Sequence, residues 1–145
     1  MSRFVCLSVL VLLAAVAVSC KPHEDYDKEH IAEVAEECKT ESGATDEDVE
    51  HMMQHEPADS HESKCLRACM LKKFEIMNDE GKLSKENALE MVKLSSKDDA
   101  EKEAAAAEIV DKCEGIEVPE DHCDAAAAYE KCIIDHMHEH GLALE

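Results

Sequence analysis

The sequence predicts an all-α fold: about six helices, tied by three disulfides. Three observations predict it. Apolar residues recur at helical spacing along the chain, and no long stretch alternates with period two. Only 4 Gly and 3 Pro occur in 145 residues, too few for a turn-rich all-β chain. The cysteines left after the leader are even in number, as expected of a disulfide framework in a small secreted domain.

The leader comes first. Arg3 supplies a positive start, residues 4–18 form a nearly unbroken apolar run, and Ala15, Ala17 and Ser19 are small. This is the pattern of a secretory signal peptide over residues 1–20, cut between 17 and 20, with the mature domain at 21–145. The run is short for a bilayer span, so no membrane insertion is expected. Ala17-Val18-Ser19-Cys20 gives a rival reading, a bacterial lipoprotein with Cys20 acylated, but the usual Leu three residues before the Cys is missing.

The mature domain fits a single unit. Ile31, Val34, Ala35 and Cys38 place a first helix at 26–39, stopped near Gly43. Thr45 with Asp48 forms a capping box for a second helix, whose apolar side is Val49, Met52 and Met53 and which ends before Pro57. Ser60 or Ser63 caps a third at 61–77, striped by Leu66, Met70, Phe74 and Met77. After the turn at 78–81, Ser84 caps a fourth, which buries Ala88, Leu89, Met91, Val92 and Leu94. Ser96 and Asp99 open a fifth, carrying Ala106, Ile109, Val110 and Cys113. The sixth spans 121–139 and stops at Gly141. The Ala runs at 104–107 and 125–128 favour helix and close helix packing.

Charge excludes some functions. Acidic residues number 35 against 15 basic, a net charge of −20. Nucleic acid and anionic lipid surfaces both require a basic face. The acidic surface suits a soluble secreted protein. Enzyme motifs are absent: no nucleophile elbow, phosphate loop or H-E-x-x-H occurs. Gly81 in the sixth position of a calcium loop would put Ile76 first and Asn87 twelfth, which fails the ligand pattern. His122-Cys123-Asp124 lacks the vicinal Cys pair and the His–Asp spacing of secreted phospholipases. No catalysis and no cofactor are expected.

Removing Cys6 and Cys20 leaves Cys38, Cys65, Cys69, Cys113, Cys123 and Cys132. Six cysteines allow 15 pairings. Cys65 and Cys69 are one turn apart, with Cβ atoms about 6 Å apart, too far for a bridge. Cys123 and Cys132 face opposite sides of one helix, at about 100° per residue. Neither pair can bond, and the sixth helix should sit centrally, tied on two flanks. Several connectivities stay open.

The spacing Cys38-x26-Cys65-x3-Cys69-x43-Cys113-x9-Cys123-x8-Cys132 resembles that of the insect pheromone-binding and general odorant-binding proteins. Cys65-Leu66-Arg67-Ala68-Cys69, the turn at 77–83, and Tyr129 within the Cys123–Cys132 helix agree with it. The resemblance covers essentially the whole mature chain. It implies three interlocked bridges, Cys38–Cys69, Cys65–Cys123 and Cys113–Cys132, around an apolar cavity. It also implies a secreted carrier of small hydrophobic molecules, acting in sensillum lymph or another body fluid. Such a carrier would be a monomer or weak dimer, open to contact with an olfactory receptor.

Candidate lining residues are Met52, Met53, Met70, Phe74, Met77, Leu89, Met91, Val92, Tyr129, Ile133, Met137 and Leu142. Methionines suit an adaptable lining, although an apolar stripe at helical spacing is usually plain core. His136, His138 and His140 offer a pH switch that would loosen the chain end and release ligand, set against a solvated helix end. His136 and His140 share a face, but His138 points elsewhere, so no metal site is expected. The different-class alternative is a secreted helical interaction domain with a filled core and no ligand.

Overall fold

The computed structural model describes residues 28–96 and 99–142, with no side-chain description at 94–96. The expected leader, Tyr26 and the side chain of Leu94 lie outside the described residues.

Among the described residues there are six helices and no strand longer than an isolated bridge. They are α1 (Lys28–Ser42), α2 (Asp46–Met53), α3 (His61–Lys73), α4 (Lys85–Ser96), α5 (Ala100–Glu114) and α6 (His122–Glu139). Helix α1 runs past the expected 39. Gly43, at φ +73°, takes the left-handed conformation that closes a helix C-terminus and donates its N–H to Lys39 O. The Thr45–Asp48 capping box of α2 is formed in both directions. Asp99 caps α5 and Asp121 caps α6, each taking two backbone N–H groups. Ser96 is the last residue of α4.

Helix α3 departs from expectation at both ends. Its cap is Ser60, which accepts from Ser63 N–H. Ser63 is instead buried. The helix ends at Lys73, because Glu75 turns to φ +58°. Ile76 and Met77 then both donate back to Leu71 O. Met77 is still buried, but it sits on a bridge with Leu83. The apolar period therefore outlasts the helix. Asn78 shapes the intervening turn, its Oδ1 accepting from Glu80 and Lys82 N–H.

Helix α3 is the hub, packing against α1, α2 and α6, while α5 packs against α4 and α6. One core cluster joins α1, α2 and α3 around Cys38, Leu66 and Met70. The larger one joins α3–α6 around Ala68, Ile109, Ala125 and Tyr129. The bridges are Cys38–Cys69, Cys65–Cys123 and Cys113–Cys132. They tie α1 to α3, α3 to α6, and α5 to α6, so α6 is held on two flanks.

Gly81 is required by its surroundings. Its φ is +74°, and a Cβ there would lie 2.6 Å from the Cδ2 of His122. His122 is itself set by Lys72, whose Nζ is 2.7 Å from Nδ1. Gly81→Ala is expected to destabilise by about 2 kcal/mol, from the left-handed conformation and the overpacking together. Urea denaturation reads the loss, and adding His122→Ala should restore the part due to the clash.

Candidate functional site

A half-open groove of about 340 Å³ lies between α4 and α5. Its walls are Leu89, Val92, Ala100, Ala104 and Ala107, with Lys93 and Glu103 as the polar members. Two features of the sequence make it. Leu89 and Val92 are one turn apart on α4. Ala100, Ala104 and Ala107 fall on one face of α5, and their small side chains leave the two helices unfilled between them. The space falls in the range of small-molecule sites, and its walls are largely apolar, as such sites are.

Of the candidate lining residues, Leu89 and Val92 line this groove. Met52 and Met70 are buried in the α1–α2–α3 cluster, and half-buried Phe74 packs against both clusters. The ring of Phe74 meets that of His30 edge-on, with centroids 6.0 Å apart. Met77 and Tyr129 are buried in the larger cluster, and Met91, Ile133, Met137 and Leu142 pack against it, half-buried. Met53 is 51% exposed. On a helix of barely two turns, Met52 takes the inward face and its neighbour is turned to solvent. Sequence reasoning missed Lys93, Ala100, Glu103, Ala104 and Ala107. The Ala runs were the available signal, but small residues read as close packing.

Helix α6 is closed by a left-handed turn at Gly141, φ +67°. Leu142 donates its N–H to Met137 O and packs against the larger cluster. His136 Nδ1 lies 2.7 Å from the Glu139 carboxylate, and this hydrogen bond holds the Glu139 carboxyl below its ordinary range. His140 Nε2 is 4.0 Å from Glu108 on α5, and His138 is exposed. Among the described residues two groups of metal-ligand type also occur, His61 with Cys65 and Cys123, and His136 with Cys113 and Cys132. In both, the sulfurs are joined in a disulfide and carry no thiolate for a metal.

Beneath α6 lies a buried ion pair. Arg67 is 2% exposed and ion-pairs through Nε with Glu130 of α6. Its other nitrogens donate to Ser63 Oγ at 2.8 Å and to the backbone carbonyl of Glu56. Burial pushes the Glu130 carboxyl above its ordinary value, against the pull of the guanidinium. Lys64 adds a second α3–α6 link, 2.8 Å from Asp124.

This architecture recurs in known proteins. The profile of the PBP/GOBP family matches residues 20–136. General odorant-binding protein 19d of Drosophila melanogaster is 60% identical over 148 aligned residues, covering 100% of this chain and 99% of that relative. The solved structure of odorant-binding protein dmelOBP28a from the same fly superposes with a TM-score of 0.72 at 42% identity, over 78% of this chain and 93% of that one. The fatty acid binding protein OBP56a from the blowfly Phormia regina shares the fold, with a TM-score of 0.63 at 20% identity over 77% and 92%. The chain belongs to the PBP/GOBP family, whose six-cysteine spacing it carries.

Proposed function

We propose that the protein is a secreted carrier, which takes a small hydrophobic molecule into the groove between α4 and α5 and releases it elsewhere in an aqueous fluid. The observation that carries this reading is that groove, about 340 Å³ with aliphatic walls, in a bridged member of the PBP/GOBP family. The driving force is transfer of apolar surface out of water, about 25 cal/mol per Å². With no aromatic wall, aliphatic chains, alcohols and esters suit the groove better than stacked rings. Secretion accords with the three bridges. No helix among the described residues is long and apolar enough to cross a membrane. In this reading His136, His138 and His140 form the pH-sensitive end: protonation charges the ring beside Glu139 and the ring beside Glu108, and this change of charge near Leu142 is the release signal.

The test is titration of the oxidised protein with an environment-sensitive apolar probe at about pH 7 and pH 5, on either side of the ordinary His value. The expected result is saturable binding near one probe per chain, displaced by fatty alcohols or esters and weaker at the lower pH. Ala104→Trp fills the groove and should weaken binding about tenfold, the loss of roughly 60 Å² of apolar contact. Absence of binding at both pH values, with the bridges intact and no copurified ligand, would refute the carrier and favour an interaction domain with a filled core.

A further inference from the structure

The three disulfides are not equally protected. Cys38 and Cys113 are fully buried, so two of the bridges each have one end sealed in a core cluster. Cys65 and Cys123 are both only half-buried, so neither end of that bridge is sealed in a core cluster. Exposed disulfides are the labile ones.

The neighbouring groups differ in the same sense. Cys69 Sγ lies 3.5 Å from the Glu41 carboxylate, whose charge opposes a departing thiolate. His136 stands near the Cys113–Cys132 sulfurs, but there the Cys113 end is sealed in the core. At the third bridge, exposed His61 places Nε2 3.5 Å from Cys65 Sγ, one turn away on α3. Asp121 faces this imidazole from the start of α6, and the Lys64–Asp124 pair flanks the site.

We propose that Cys65–Cys123 is a thiol–disulfide exchange site for a small-molecule thiol, with His61 assisting Cys65 as the leaving sulfur. The thiolate attacks Cys123 Sγ and forms a mixed disulfide there. The Sγ–Sγ bond breaks, and its electron pair leaves on Cys65 Sγ, which takes a proton from the His61 imidazolium. One disulfide is exchanged for another, so no net oxidant or reductant is consumed. The opened form keeps α6 on α3 through Arg67–Glu130 and Lys64–Asp124, and on α5 through Cys113–Cys132. The site lies on α3 and α6, the groove is walled by α4 and α5, and the assignment does not depend on the carrier reading.

The test exposes the oxidised protein to glutathione near pH 7, quenches in acid, alkylates the free thiols and maps the peptides by mass. The expected first product carries glutathione on Cys123 and an alkylated Cys65, with the other two bridges intact. His61→Ala, at an exposed position, should slow this opening several-fold while leaving the rates of the other bridges unchanged. Circular dichroism confirms that the variant keeps its helices. Opening of another bridge first, loss of all three together, or a wild-type rate in His61→Ala would overturn the assignment.

Discussion

Glu130→Ala is expected to destabilise the protein by about 3–5 kcal/mol, read as a lowered urea midpoint with an unchanged slope. The cost falls on the partner left behind. Arg67 is almost wholly buried on α3, and without Glu130 its charge is left with neutral partners, Ser63 Oγ and the backbone carbonyls of Ser63 and Glu56. Charge removal from both sides should be milder. Arg67→Met with Glu130→Leu is expected to recover most of the loss, because an apolar pair of similar volume often matches a buried ion pair. If Glu130→Ala behaves like an ordinary surface substitution, within about 0.5 kcal/mol, the pair does not hold α6 to α3.

The pH dependence of that effect has a defined sign. Burial raises the folded carboxyl of Glu130 above its unfolded value, so the folded state binds this proton more tightly. The contribution of this group to stability therefore falls as pH rises from the ordinary carboxylate value through the folded one, and is flat above it. Asp121, Asp135 and Glu139 run the other way. Hydrogen bonds lower their carboxyls, from Asp124 and Cys123 N–H, from Lys131 and from His136 respectively. Their contribution is present above the unfolded value and lost as pH falls through the folded one. By this sign Glu130→Gln, which keeps an oxygen to accept from Arg67 without the desolvated charge, should match or exceed wild-type stability at neutral pH, unlike Glu130→Ala. The difference should shrink in acid, where the wild-type side chain is itself protonated.

The helices were legible because their signals are local. Thr45 with Asp48, Asp121 before α6, and Gly43 and Gly141 after their helices each act within a turn of where they stand. The end of α3 was not legible. Met77 keeps the helical apolar period, yet it is buried through a bridge to Leu83 that no window along α3 can see. Arg67 failed for the same reason: its burial is made tolerable by Glu130, on another helix and far along the chain. The groove was half legible. Leu89 and Val92 stand out as apolar, while Ala100, Ala104 and Ala107 act through the volume they do not occupy. For the cysteines, helix geometry removed two pairs, and the family resemblance supplied the connectivity that the structure contains.

Removing the Cys38–Cys69 bridge, by Cys38→Ala with Cys69→Ala, is expected to cost about 4 kcal/mol. The bridge spans a sequence separation of 31, and closing a loop of that length removes about 3.7 kcal/mol of chain entropy from the unfolded state. The sealed position of Cys38 adds a packing loss, because Cys38 is buried in one cluster with Val34, Ala35, Leu66 and Met70. The place of the damage is as specific as its size. Helix α1 meets the rest of the bundle through α3 and the short α2, and its ion pairs to α3 among the described residues are the exposed ones of Lys73 with Glu37 and Glu41. Exposed pairs contribute little. Helix α1 should therefore loosen first, while α3–α6 remain joined by two bridges and the Arg67–Glu130 pair. Amide exchange reads this directly: protection should collapse in α1 and persist in α3 and α6. Uniform loss of protection across all six helices would show instead that the two core clusters unfold as one cooperative unit.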